Sequence, residues 1–217
     1  MADLEWGDRD VPVSVRFNDP YYSLDHGLEE TRYVFLQGNG LPERFRDGFH
    51  IAELGFGTGL NLLAALQLWR STGVSGVLHF TSFEAFPIAP DDMRRAQMAF
   101  DDLEPLATEL SPHWGKDEIT LPDLHFRLIR GDARRLLPAW TGQADAWFLD
   151  GFSPAKNPEL WEPDLLAEVS KHTSPGGTAA TYTAAGAVRR ALIEAGFDVT
   201  RIPGYGRKRH MSVALKG

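Results

Sequence analysis

From residue 50 onward, short apolar runs alternate with longer stretches of helical periodicity, and no other feature narrows the fold as far. Runs near 51–54, 78–84, 125–130, 145–149, 177–182, 197–202 and 210–215 have the β-branched and aromatic content of strands. Strands separated by helix-length segments predict parallel βαβ units, because a parallel neighbour needs a long crossover. Helical periodicity is clearest over 59–70, 90–101, 157–172 and 184–195, with Asp91 and Asn157 as candidate caps and Pro175-Gly176-Gly177 as a stop after the third helix. The loop around Gly204-Tyr205-Gly206 is too short for a helical crossover, so the last two strands are expected to pair as an antiparallel hairpin. Residues 1–50, extended over 13–17 and helical over 28–37, read as an N-terminal extension or cap on a core spanning 51–217. A length of 217 residues suits one domain.

Several chemistries are excluded early. The chain has no cysteine, which removes disulfides, thiolate metal sites and cysteine nucleophiles. Histidines at 26, 50, 79, 113, 125, 172 and 210 never show the i,i+4 spacing that puts two imidazoles on one helical face, so no metal is expected. No apolar run approaches the roughly 18 residues that span a bilayer, and the acidic start lacks the order of an export signal. A cytoplasmic protein without membrane contact is the expectation. The net charge of −8 has the wrong sign for a protein that wraps nucleic acid. Basic residues nevertheless cluster at Arg127, Arg130, Arg134 and Arg135, at Arg189 and Arg190, and at Arg201 with the run Arg207-Lys208-Arg209.

The segment His50-Ile51-Ala52-Glu53-Leu54-Gly55-Phe56-Gly57-Thr58-Gly59 runs from an apolar strand through a Gly-x-Gly-x-Gly turn into a helix. Glycines let a ligand approach the main chain, and the helix start offers N–H groups and the positive end of a dipole. A dinucleotide fingerprint is one residue out of register, with Leu60 where its last glycine belongs. A phosphate-binding Gly-Lys-Ser/Thr tripeptide does not occur.

Four predicted strands or their edges finish on acids: Glu53, Glu84, Asp132 and Asp150. In an open α/β sheet the ligand lies across the carboxyl ends of the strands, so these four carboxylates are expected to face one crevice. Crowded like charges are costly unless a cation or hydroxyl donors compensate them. S-adenosylmethionine (SAM) meets that demand. Its ribose hydroxyls suit Glu84, its adenine amine suits Asp132, its sulfonium and ammonium suit Glu53 and Asp150, and its carboxylate suits the helix N–H groups.

The stretch Asp150-Gly151-Phe152-Ser153-Pro154-Ala155-Lys156-Asn157-Pro158-Glu159-Leu160-Trp161 follows the fourth strand. A serine-hydrolase elbow is excluded because its oxyanion hole uses the N–H after the nucleophile, and Pro154 has none. Two prolines instead make a stiff loop able to hold an acceptor beside the ligand.

Together with Leu28-Glu29-Glu30-Thr31-Arg32-Tyr33-Val34-Phe35, Glu53 through Asn61, Thr181-Tyr182-Thr183-Ala184-Ala185-Gly186 and Gly206-Arg207-Lys208-Arg209, this loop resembles the methyltransferase domain of the bacterial tRNA 5-methylaminomethyl-2-thiouridine biosynthesis enzymes. The resemblance spans residues 13–215. It implies a Rossmann-like, SAM-dependent methyltransferase fold: an α/β protein with a seven-stranded, mostly parallel sheet, a C-terminal antiparallel hairpin and an N-terminal extension. It implies N-methylation of the aminomethyl group of the wobble uridine, taking 5-aminomethyl-2-thiouridine to 5-methylaminomethyl-2-thiouridine in tRNA.

On that reading SAM is held by Glu53, Gly55, Phe56, Gly57, Thr58, Gly59, Asn61, Glu84, Asp132, Ala133 and Asp150. Asp150 orients the acceptor nitrogen and takes its proton, with Tyr22 and Tyr182 shaping the pocket. Phe152, Lys156, Asn157, Arg207, Lys208 and Arg209 contact the tRNA at its anticodon region. In many bacteria the domain is fused to an FAD-dependent oxidase; this sequence stops at Gly217 and so resembles the stand-alone form or an excised domain, and a separate oxidase is a candidate partner. His210 departs from the pattern, which leads one to expect an acid there. Two alternatives stay open: an enzyme that transfers a methyl or aminopropyl group to a small amine, and a SAM-binding module without catalysis.

Overall fold

The computed structural model describes residues 1–23 and 26–217. Strands β1 (Leu4–Trp6), β2 (Pro12–Ser14) and β3 (Asp19–Pro20) form a small antiparallel sheet. Helix α1 (Gly27–Thr31) continues as a π-turn through Leu36. Then follow β4 (His50–Leu54), α2 (Leu60–Thr72), β5 (Leu78–Glu84), α3 (Pro90–Gln97), α4 (Glu104–Leu110), β6 (Glu118–Leu121) and β7 (Leu124–Arg130). The chain ends with α5 (Ala133–Leu136), β8 (Ala144–Leu149), α6 (Pro163–Lys171), β9 (Thr173–Thr181), α7 (Gly186–Glu194), β10 (Phe197–Pro203) and β11 (His210–Lys216).

The main sheet has the order β10-β11-β9-β8-β4-β5-β7-β6. Strands β9, β8, β4, β5 and β7 run parallel, and β10 and β11 form the expected antiparallel hairpin. The sheet has eight strands rather than seven. The eighth, β6, pairs antiparallel with β7 across a two-residue turn at the edge, and only Ile119 of its four residues is buried, which leaves little apolar signal to read.

Three boundaries also differ from expectation. Asp91 does not cap α3, whose N-cap is Ala89, and pairs with Arg94 instead. Asn157 precedes a 3-10 turn, Pro158–Trp161, so α6 starts only at Pro163. Pro175-Gly176-Gly177 lies inside β9 and does not stop the helix, which ends at Lys171. The pairing of β8 with β9 is irregular between Ala144 and Ala146, and such irregularities accommodate proline and glycine in a strand.

The two faces of the sheet sort by strand parity. Ile51, Phe80 and Phe148 pack on one side with α2 and the 28–49 segment, and Ala52, Phe83, Trp147 and Leu149 on the other with α6 and α7. The first two turns of α2, Leu60 through Leu66, are buried all round, because the N-terminal segment covers their outer surface with Leu28, Val34 and Phe35. Among the described residues no helix is long and apolar enough to cross a membrane.

At the amino end of the sheet, His50, His79 and His125 stand in register on β4, β5 and β7, with ring centroids 5.7 and 5.1 Å apart. Burial, then the neighbouring His79, push the His50 imidazole down to about 4, against a weaker opposing pull from Asp145. The unfolded chain therefore takes up this proton first, and the stability contributed by neutral His50 is complete above its ordinary range and lost as pH falls from about 6.5 toward 4. Between pH 7.5 and pH 5 the parent should lose about 2 kcal/mol of unfolding free energy relative to His50→Gln, read by denaturant unfolding of both proteins at both pH values.

Candidate active site

The site lies at the carboxyl ends of β4, β5, β7 and β8, where the strand order reverses between β4 and β8. A cavity of about 610 Å³ opens there. Gly55 and Gly57 line it with positive φ, +84° and +52°. A Cβ on Gly55 would stand 3.1 Å from the Asp150 carbonyl oxygen, and one on Gly57 would stand 3.1 Å from the Tyr21 ring, so at these two positions a side chain would be crowded as well as strained by the positive φ. The turn is buttressed from behind: buried Gln97 donates to the Thr58 carbonyl at 2.8 Å and accepts from the Trp114 indole at 3.1 Å. Thr58 and Phe56 line the cavity, while Gly59 caps α2 behind it.

Three of the four strand-end acids reach the cavity wall: Glu84, Asp132 and Asp150. Glu53 does not, which corrects the expectation of four acids in one crevice. It is fully buried and accepts from Ser82 Oγ at 2.7 Å and Asn61 Nδ2 at 2.8 Å. Asn61 lies on the wall, and its Nδ2 also donates to Asp150 Oδ2 at 2.8 Å. Glu53 therefore acts on the site through Asn61. Asp150 Oδ1 accepts from the Gly151 N–H at 2.7 Å. Each of its oxygens keeps lone-pair capacity for a further partner.

Glu84 binds the glycine turn to the exit of β5, accepting from Gly57 N at 3.1 Å and Phe86 N at 2.7 Å. Burial raises the Glu84 carboxyl and, more strongly, that of Glu53, which also feels the negative charges of Asp150 and Glu84. Burial pushes Asp150 up to about 6 against its hydrogen bonds and the nearby Lys208. Asp132 is held low by Arg134, which also pairs with Glu162. Ala133 completes that wall.

The acceptor side is built from the proline loop and the N-terminal sheet. Asp19 accepts from Ser153 N at 3.1 Å and from Lys156 Nζ at 2.8 Å. Phe152 stacks on Phe17 at 4.7 Å and meets Tyr21 edge-on at 5.0 Å. Tyr182 donates its hydroxyl to the Gly151 carbonyl at 2.8 Å, and Tyr22 donates to the Ala96 carbonyl at 3.1 Å. Burial raises both phenols, Tyr22 to about 12. Asn157 faces the cavity; Lys156 is tied to Asp19 and does not line it.

Arg207 and Arg209 are exposed and also lie off the wall. Lys208 turns inward instead, pairing with Glu30 and lying over the Tyr182 ring. Asp19, Tyr21 and Gln97 carry no local motif in the sequence, and Glu30 lies in the 28–35 stretch without a site role being legible there.

A doubly wound sheet with a glycine turn and buried acids at its carboxyl edge is of the class that binds a nucleoside cofactor there. Residues 102–217 match the family described as S-adenosyl-L-methionine-dependent methyltransferases, and the chain belongs to that family. It is 46% identical to the tRNA 5-methylaminomethyl-2-thiouridine biosynthesis bifunctional protein MnmC of Pseudomonas aeruginosa (strain UCBPP-PA14), over 97% of this chain and 34% of that protein. It is 48% identical to the protein of the same name from Caulobacter sp. (strain K31), over 98% of this chain and 38% of that one. The chain thus spans about a third of the length of the curated relatives it matches. The crystal structure of MNMC2 from Aquifex aeolicus superimposes with a TM-score of 0.79 at 28% identity, covering 99% of this chain and 70% of that one.

The residues present fit SAM. The glycines of the turn, the Glu84 carboxylate at the second strand end and Asp150, both raised by burial, form an acceptor-rich wall that a cationic nucleoside completes.

Proposed function

We propose that this chain methylates the aminomethyl nitrogen of 5-aminomethyl-2-thiouridine at the wobble position of tRNA. The observation that carries the reading is the Asp150 loop, which opens into the same cavity as the glycine turn. The similarity to tRNA 5-methylaminomethyl-2-thiouridine biosynthesis proteins supports the choice of acceptor. Glu84 would hold the ribose hydroxyls, Asp132 the adenine amine, and the start of α2 the carboxylate, with Phe56 and Ala133 packing on the nucleoside.

Bound SAM supplies an electrophilic methyl group on a positively charged sulfur, so that a new N–C bond forms as the S–C bond breaks. The chain's own residues prepare the nucleophile. An ammonium has no lone pair, so a proton must leave the acceptor nitrogen first, and Asp150 is the group positioned to receive it. Asn61 and the Gly151 N–H fix the Asp150 carboxylate in place, and Tyr182 fixes the Gly151 carbonyl. Phe17, Tyr21 and Phe152 close an apolar wall that excludes water. Alignment of the two reactants contributes several kcal/mol of barrier reduction, about 7 or more in favourable cases.

The substrate reading extends to Arg207 and Arg209 as phosphate contacts, to a cytoplasmic location, and to an FAD-dependent oxidase acting on the same tRNA. Charge removal at both arginines should lower the slope of log affinity against log salt by about one unit each. An unchanged slope would make these residues a solvated face. The decisive test incubates undermodified tRNA with the protein and SAM and follows its nucleosides by mass spectrometry. Gain of one methyl on the wobble nucleoside is expected; methylation of offered polyamines, with tRNA untouched, would overturn the reading.

A further inference from the structure

Lys208 comes from an Arg-Lys-Arg run, yet its side chain points into the cavity. Its Nζ is ion-paired with Glu30 of α1 and stands 4.3 Å from the centroid of the Tyr182 ring. The Glu30 side chain is only 13% exposed, so its charge needs a cation, whereas Lys208 is 46% exposed and sits in the turn between β10 and β11. A carboxylate set beside an aromatic face is the recognised chemistry for binding an ammonium. Tyr182 feels three carboxylates: Asp150 from the end of β8, Asp19 from β3 and Glu30. Lys156 neutralises Asp19, and Asn61 and backbone N–H hold Asp150. Lys208 is the cation on Glu30.

We infer that Glu30 and the Tyr182 ring face form a subsite for a primary alkylammonium, which Lys208 fills in the free protein as a stand-in for the acceptor. The inference rests on the proposed aminomethyl acceptor and names where its ammonium first docks, beside Asp150. Docking requires Lys208 to leave. Its exposed stem then carries the ammonium outward toward Arg207 and Arg209, where polyanion phosphates would receive it. Substrate without phosphates would have to compete with a tethered lysine, and free amines would bind weakly. A tethered competitor acts at an effective concentration in the millimolar range, so removing it should unmask the subsite.

The test titrates two probes, benzylammonium and the free nucleoside 5-aminomethyluridine, into the protein saturated with S-adenosylhomocysteine. Lys208→Met should bind both at least about tenfold more tightly than the parent. Adding Glu30→Gln should reverse the gain, and Lys208→Arg, which keeps a cation on Glu30, should stay near the parent. Parent-like binding of both probes by Lys208→Met would overturn the inference, whatever its turnover on tRNA. Tighter benzylammonium with no gain for the nucleoside would leave the subsite standing and remove the uridine acceptor.

Discussion

Asp150→Asn should lower methyl transfer to the acceptor by about a hundredfold or more, because it removes the carboxylate that stands at the end of β8 beside the proline loop and is proposed to take the proton. The substitution is nearly isosteric. Asparagine can still accept from Asn61, so the loop and the fold should survive, and the loss should appear in kcat more than in the affinity for SAM. The pH profile provides an independent reading. With its carboxyl pushed up to about 6 by burial, Asp150 is ionised above that value and protonated below it. The parent rate should therefore rise through about pH 6 and level off toward neutrality, and Asp150→Asn should lack that limb. Persistence of the limb in the variant would assign it to another group, and full activity would remove Asp150 from the mechanism.

The architecture was legible because its signals are local. Strand and helix periods alternate along the chain, and the glycine turn sits at the one place where a strand feeds a helix at the switch point. The position of Glu53 depends on strand register, which the sequence does not contain. Period-two alternation puts Glu53, Glu84 and Asp150 all on the α2 face, but Glu53 stands level with Ser82 and Phe148, two residues before Glu84 and Asp150, so it lies under α2, where Asn61 meets it.

The direction of Lys208 was not legible at all. An Arg-Lys-Arg run reads as a solvated patch, and its inward turn depends on Glu30, whose backbone lies in α1, far away in sequence. Arg127, Arg130 and Arg134 show the same limit in reverse: each is paired with an acid, Glu118, Asp117 and Asp132 respectively, so a basic cluster in sequence is neutralised in space. The unbroken apolar run Leu62-Leu63-Ala64-Ala65-Leu66 in α2 was a readable sign that another segment must cover its outer face, which residues 28–49 do.

Glu84→Ala should weaken binding of SAM and of its demethylated product alike, each by roughly a hundredfold, as expected for loss of charge-assisted hydrogen bonds to ribose hydroxyls common to both. The equality is the informative part. A carboxylate whose task is to face the positive sulfur would discriminate, costing SAM more than the neutral thioether. Asp150→Asn should show a small difference of that kind, and Glu84→Ala should show none. Part of the Glu84 effect passes through the turn itself, since the carboxylate accepts from Gly57 N and Phe86 N and holds the glycine loop against the end of β5. Glu84→Gln keeps one acceptor for those N–H groups while removing the charge, and should lose about tenfold. Calorimetry with both ligands on all three variants separates these contributions. A Glu84→Ala protein that binds SAM normally would mean that the acid at the end of β5 serves only to brace the loop, and that the nucleoside lies elsewhere along the carboxyl edge.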